Sequence, residues 1–402
     1  MTEDVFVGRK PICKEKAEVF GYELLCRQND LAEAAFKDQD QAAAADLVKS
    51  LIDTGLDKLA GQDQAFLKIT RDFLLSDFCS SLPKERVVLQ IPGDTTVDRP
   101  VVDSIAKLSN NGYAIALDNF VDADQIRPIA EFTDIAKIDI QQRDYEATAR
   151  QFISLRQFNV KLLADNVDTR DEYEFCRKLG FDYYQGFFFC KPDVATHKKI
   201  PFNRLSTLHL LAKLQDPDIS PRDLERAVAQ NLAITHKLLR YLNSPALSFP
   251  RKIESIRHAA MLVGTQLLSH WASLAMLESI EDKPRELMVT AMVRANMCQQ
   301  LGVALRQKNV DQFFTVGLLS VMDALLDRPM REALLVLPLA DNVKHALLEH
   351  EGLMGAALDC IKAYERADWG NAGCTDLGEK IVRDAYLTSV VSSRGMMQAF
   401  LN

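Results

Sequence analysis

The sequence predicts an α/β half followed by an all-α half, the first a (β/α) barrel and the second an all-helical domain. Three observations carry this expectation. Short β-type runs alternate with helical stretches through the first half at intervals of roughly 20–30 residues, the pattern of parallel βα units. Polar residues recur at or near the ends of those runs, at Lys68, Gln90, Asp118, Lys137 with Asp139, Asp165 and Gln185. From about Pro201 the strand signals vanish and helical periodicity continues to the end of the chain.

VFVGRKPI and VFGYELLCR read as an opening pair of strands, and Gln41–Ala60 as a helix with apolar residues at 47, 51, 52, 56 and 59 on one face. Strands follow at 66–70, 87–91, 113–118, 135–140, 160–165 and 183–189, with a helix over 97–110 stopped by Asn-Asn-Gly. Thr169 and Glu172 have the spacing of a capping box, opening a helix that ends at Gly180. Beyond the polar, proline-containing stretch near 195–203, Ser220-Pro221 reads as an N-cap and first helical residue. An apolar stripe from 224 to 242, broken near Asn231, is stopped by Asn243-Ser244-Pro245. Further helices are expected over 254–278, 284–305, 311–327, 330–336, 340–349, 353–366 and 375–391, which gives domains of 1–198 and 199–402.

At 402 residues, 48% hydrophobic and 26% charged, the chain has the composition of a globular protein with two cores. A net charge of −8 argues against a nucleic-acid partner bound by bulk electrostatics. No apolar run reaches a membrane span and the first ten residues lack a signal-peptide core, so no membrane partner and a cytoplasmic location are expected. The eight cysteines form no CxxC pair and the histidines no HxxxH, so reduced thiols and no metal or cofactor are expected.

Gly21–Arg27, GYELLCR, holds a carboxylate and a guanidinium in an apolar run. Alternation along a strand puts Glu23, Leu25 and Arg27 on one face. They are either a metal-type and a phosphate-type ligand side by side or an ion pair closing an element end. In a barrel the strand ends converge on one face, so the polar strand ends are expected to form a pocket there.

ELLCR (23–27), LDNF (117–120), KID (137–139), ADNVDT (164–169) and QGFFFCKP (185–192) together resemble the EAL domain, the cyclic di-GMP phosphodiesterase barrel of bacterial signalling. LLRYLNSPALSFPRKIESIRHAAMLVG (238–264) and FFTVGLLSVMDALLDRPM (313–330) resemble the HDOD domain, a helical relative of HD-type phosphohydrolases. The resemblance implies a site where carboxylates hold two divalent cations that activate water. It places the motif glutamate at Glu23, the phosphate-contacting arginine at Arg27, the family lysine at Lys137 and a retained glutamine at Gln185. Where the family has a metal-binding asparagine stands Lys68, and Gln90 stands for a glutamate. The paired aspartates become Asp118 and Asn119, the late glutamate is shortened to Asp165, and Lys10 replaces a glutamine. Three carboxylates, an ammonium and two amides thus stand for five carboxylates and an asparagine. An ammonium ~4 Å from a divalent cation is repelled by several kcal/mol at an effective dielectric near ~20. Lys68 is expected to act instead as a counter-ion to Glu23 and Asp118.

In the second half Ser320 and Val321 occupy the positions of the His-Asp pair that the HD resemblance implies, and His236, His258 and His270 read as satisfied or solvent-facing. With these departures the resemblance implies a degenerate EAL domain joined to a protein-interaction HDOD domain. The expectation is a non-catalytic signalling or scaffold protein, not an enzyme, with no catalytic residue. Its partners would be signalling proteins met through the HDOD surface, with a homodimer as one open state. The alternative is a cyclic di-GMP receptor. The pocket set is Glu23, Leu25, Arg27, Lys68, Gln90, Asp118, Asn119, Lys137, Asp139, Asp165 and Gln185.

Overall fold

The structure is a computed structural model. It describes residues 7–26, 56–119, 126–141, 144–191, 202–214, 216, 218–244, 247, 249, 252–280, 283–335, 337, 339–373 and 377–401. The chain divides into two compact units, the first comprising residues 1–189 with Tyr364–Trp369, and the second comprising Cys190–Ala363 with Gly370–Asn402. Most of the helix expected over Gln41–Ala60, Arg27, and the polar stretch read as the domain boundary (apart from its last two residues) lie outside the described residues.

In the first unit eight strands close into a barrel in chain order: β1 Val7–Cys13, β2 Val19–Cys26, β3 Gln64–Lys68, β4 Val87–Pro92, β5 Ala114–Asp118, β6 Ile135–Asp139, β7 Lys161–Asp165 and β8 Tyr183–Gln185. The sheet is parallel from β2 to β8, but β1 runs antiparallel to both β2 and β8. Only Lys14–Glu18 separate β1 from β2, far short of the dozen or so residues a parallel crossover needs. The opening strand pair is therefore a hairpin, and Lys10 lies opposite Glu23 in its register.

Strand periodicity builds the barrel interior in layers. Ile12, Phe66, Val88, Ala116, Ile135, Leu163 and Tyr183 form a buried apolar cluster, and Phe20 packs against it, stacked on Tyr183 with ring centroids 4.4 Å apart. Two residues away from each cluster member on the same strand face stand Lys10, Lys68, Gln90, Asp118, Lys137, Asp165 and Gln185, and Glu23 comes from β2. The polar layer thus takes one residue from every strand and rests on the apolar one.

The loops of this end are shaped by small backbone allowances. Asn119 and Asn166 leave β5 and β7 with φ of 58° and 57°, a left-handed conformation that asparagine accepts readily. A Cβ on Gly93 would stand 2.6 Å from the carbonyl oxygens of Asp118 and Asn119, so only glycine lets these loops close together. The capping box at Thr169 forms as expected: its Oγ1 accepts from the Glu172 amide at 3.3 Å, while Glu172 Oε2 accepts from the Thr169 amide at 2.8 Å. A helix at Tyr145–Arg156, not expected from the sequence, links β6 to β7, and Ile153, 69% exposed, interrupts the apolar stripe that would have announced it.

The second unit is helical. Arg285–Ala304 is apolar nearly all round and buried along most of its length, as a core helix must be. It packs against Val310–Leu319 so closely that a Cβ on Gly317 would overlap the Arg294 backbone. Two single helices read from the sequence are each divided. The 254–278 stretch is Ile256–Val263 and Thr265–Glu278, parted by Gly264 at φ 88°. The 311–327 stretch is Val310–Leu319 and Met322–Leu326, parted where Ser320 Oγ donates to the Gly317 carbonyl at 2.7 Å. Periodicity continues through both breaks because one turn out of line barely shifts an apolar stripe. Asn243 stops its helix by a longer-range device than expected, its side chain exchanging two hydrogen bonds with the Ile253 backbone.

Candidate functional site

The polar layer opens into a cavity of about 360 Å³ lined by Lys10, Glu23, Leu25, Lys68, Asp118, Asn119, Lys137, Asp139, Asp165, Asn166, Asp168, Phe187 and Arg366. Glu23, Leu25, Lys68, Asp118, Asn119, Lys137, Asp139 and Asp165 come together there. Two of the expected pocket residues stand behind the wall. Gln90 is buried and donates through Nε2 to Glu23 Oε1 at 3.0 Å. Gln185 is fully buried, and neither polar atom of its side chain meets a partner among the described residues. Lys10, Asn166, Asp168, Phe187 and Arg366 complete the lining without having been in the expected set. Lys10 was signalled by strand alternation with Ile12, but Arg366 lies far along the chain from every other lining residue and no local pattern points to it.

Lys137 is the centre of the charge pattern. Its Nζ lies 2.9 Å from Glu23 Oε2, 3.0 Å from Asp165 Oδ2 and 3.8 Å from Asp118 Oδ1. Burial alone would lower its pKa, but the carboxylates of Asp165, Glu23 and Asp118 outweigh that and raise it, so the ammonium stays charged. Lys10 Nζ donates to Asp165 Oδ1 at 2.9 Å and to Asn166 Oδ1 at 2.7 Å. Burial of Asp165 opposes its ionisation, yet Lys137 and Lys10 hold its pKa down to about 2. Lys68 pairs with Asp118 Oδ2 at 2.8 Å, its side chain half exposed at 52%. The expectation that Lys68 would neutralise Glu23 is corrected: among the described residues Glu23 is met by Lys137 and Gln90, because β6 brings Lys137 deeper into the barrel.

Three lysines and three carboxylates therefore alternate through one layer with two glutamines. Two divalent cations do not fit this donor set. The carboxylates that would hold them already share ammonium groups at 2.8–3.0 Å, and two of those ammonium groups, on Lys10 and Lys68, stand where the family has uncharged side chains. Among the described residues no group of three or more His, Cys, Asp or Glu side chains is placed to hold a metal ion. At its open side the cavity presents both signs of charge, with the cationic Lys68 and Arg366 beside the carboxylates of Asp139 and Asp168.

In the second unit, the positions that the HD resemblance assigned to a metal-binding pair hold Ser320, which receives a hydrogen bond from the buried Arg294 at 3.3 Å, and the buried Val321. His270 is buried and stacked on Phe314 with ring centroids 3.5 Å apart, and burial pushes its pKa down to about 4. Trp271 packs edge-on against Tyr241. Among the described residues no helix is long and apolar enough to cross a membrane.

Comparison with known proteins agrees with this two-part architecture. The EAL domain family model matches residues 10–192 and the HDOD domain model residues 201–332. Cyclic di-GMP phosphodiesterase CdgJ of Vibrio cholerae is 32% identical over 385 residues, covering 93% of this chain and 88% of the relative. The protein YuxH of Bacillus subtilis is 28% identical over 410 residues, covering 98% of this chain and 99% of its own length. Among solved structures, an EAL domain protein from Listeria monocytogenes shares 16% identity over 46% of this chain and 87% of that chain, with a TM-score of 0.38. The expectation that this chain is not an enzyme is overturned by the first of these relatives, a protein named as a phosphodiesterase and similar along nearly the full length. That expectation had treated loss of familiar metal ligands as loss of activity, and the one does not entail the other.

Proposed function

This chain belongs to the EAL–HDOD family, and we propose that it is a cyclic di-GMP signalling protein whose barrel mouth binds the cyclic dinucleotide. The observation that carries the reading is its similarity, over 93% of its length, to a relative named for cyclic di-GMP. The pocket supports it chemically. The half-exposed Lys68 and the exposed Arg366 present positive charge to phosphates. Oδ1 of Asp118, on the pocket wall, is a buried polar atom without a hydrogen-bond partner among the described residues, suited to a donor group of a polar ligand. A second reading, hydrolysis of the bound phosphodiester, is favoured by the name of the same relative. The helical unit would pass the signal to other proteins, and Leu232, Met261 and Leu335 offer exposed apolar contacts for that role.

Calorimetric titration of the full chain with cyclic di-GMP, with and without Mn²⁺, tests the binding. Saturable heat is the expected result, and none at tens of micromolar ligand sinks the proposal. Chromatography of the same mixtures for linear dinucleotide decides the second reading.

A further inference from the structure

Arg366 lies outside both family-matched segments, yet it lines the pocket of the barrel. It belongs to Tyr364–Trp369, a short stretch that packs with the barrel unit although the chain on either side belongs to the other. The stretch has a built seat on β1. Tyr364 is 1% exposed and its hydroxyl donates to the Val7 carbonyl at 3.5 Å. Trp369 packs edge-on against Tyr364, with ring centroids 5.0 Å apart. Gly8 leaves the space for both: a Cβ there would approach the Tyr364 carbonyl oxygen to 3.3 Å and the Trp369 ring to 3.7 Å.

From this seat the Arg366 guanidinium lies over the Phe187 ring, 5.6 Å from its centroid. Phe187 is itself held by its amide, which donates to Asp168 Oδ1 at 3.1 Å. Lys10, Lys68 and Lys137 each already pair with a carboxylate, whereas Arg366 makes no ion pair among the described residues. It is exposed, planar and pre-oriented by an aromatic face, the condition in which an arginine clamps a phosphate through two parallel N–H groups.

Resting on the cyclic di-GMP reading above, we infer that Arg366 is a further ligand-binding residue of the barrel, contacting a phosphate of the bound dinucleotide from outside the barrel's own sequence.

The test uses the full chain, cyclic di-GMP as the probe, and the Trp369 fluorescence of a Trp271→Phe background. Arg366→Ala is expected to weaken binding about tenfold, the cost of one charge-assisted hydrogen-bonded contact. Arg366→Lys should recover part of the loss, since it keeps the charge but not the fork. The salt dependence of affinity should be shallower in the alanine variant. Unchanged thermal melting and an unchanged Trp369 spectrum without ligand are expected to show that the seat survives. If the parent binds and Arg366→Ala binds equally well, the inference about Arg366 is overturned while the binding reading stands. If the parent itself fails to bind, that reading falls and this one with it.

Discussion

Lys137 in the barrel and His270 in the helical unit are both sealed from water, and their surroundings move them in opposite directions. Lys137 is 6% exposed and His270 9%. Burial favours the neutral form of each. Around Lys137 the carboxylates of Asp165, Glu23 and Asp118 more than offset that cost and hold the proton on. His270 lies against the Phe314 ring, and its burial favours the neutral imidazole. The barrel tolerates buried charge by pairing it, and the helical unit tolerates a titratable ring by keeping it uncharged. The first arrangement fails when a partner is removed, the second when a proton is forced on.

The largest expected effect comes from breaking the pairing. Lys137→Met should leave Glu23, Asp118 and Asp165 facing one another with less compensation and cost roughly 3–5 kcal/mol in urea unfolding. Adding Glu23→Gln should restore part of it. A loss below about 1 kcal/mol would show that the central ammonium is not what holds the layer together.

Acid should separate the two units. The unfolded His270 takes its proton near pH 6.5 and the folded one near 4, so between those values the unfolded state binds more protons and stability falls with falling pH. The penalty approaches ~3 kcal/mol once the pH is below both values. Asp165 behaves differently: its depressed pKa contributes stability that is present above its ordinary 3.8 and lost only as pH falls through about 2. Trp271 lies in the helical unit and Trp369 packs with the barrel, and these are the chain's two tryptophans, so single-tryptophan variants read each unit alone. Trp271 fluorescence should change first, between pH 6.5 and 4, and His270→Phe should flatten that change. Simultaneous loss of both signals near pH ~3 would contradict the comparison.

The smallest effect belongs to Lys68. Its ion pair with Asp118 has the same short distance as the buried ones, but a half-exposed side chain is screened by water and salt, so Lys68→Ala should cost about 0–1 kcal/mol. A loss as large as that for Lys137 would mean that distance, not burial, sets the strength of these pairs.

The barrel strands were legible because alternation is local: an inward residue at one position makes the residue two further on inward as well. The same rule picks out most of the polar layer from the order of residues alone. The antiparallel β1 was legible in principle from its short connection to β2. The breaks at Gly264 and Ser320 were hidden, because apolar periodicity survives a single irregular turn.

What the sequence by itself determined is therefore the order of the strands, the change from strands to helices, and most of the residues of the polar layer, since these follow from short-range periodicity. Only the tertiary structure decided which charge meets which. Lys68 and Lys137 are equivalent in the linear pattern. The stagger of the closed barrel, however, puts one at the rim on Asp118 and the other in the interior among Glu23, Asp118 and Asp165. Arg366 is the extreme case, brought to the pocket by packing of Tyr364 and Trp369 against Gly8. A contact between residues so distant in sequence leaves no periodic trace, because chain folding, not local geometry, creates it.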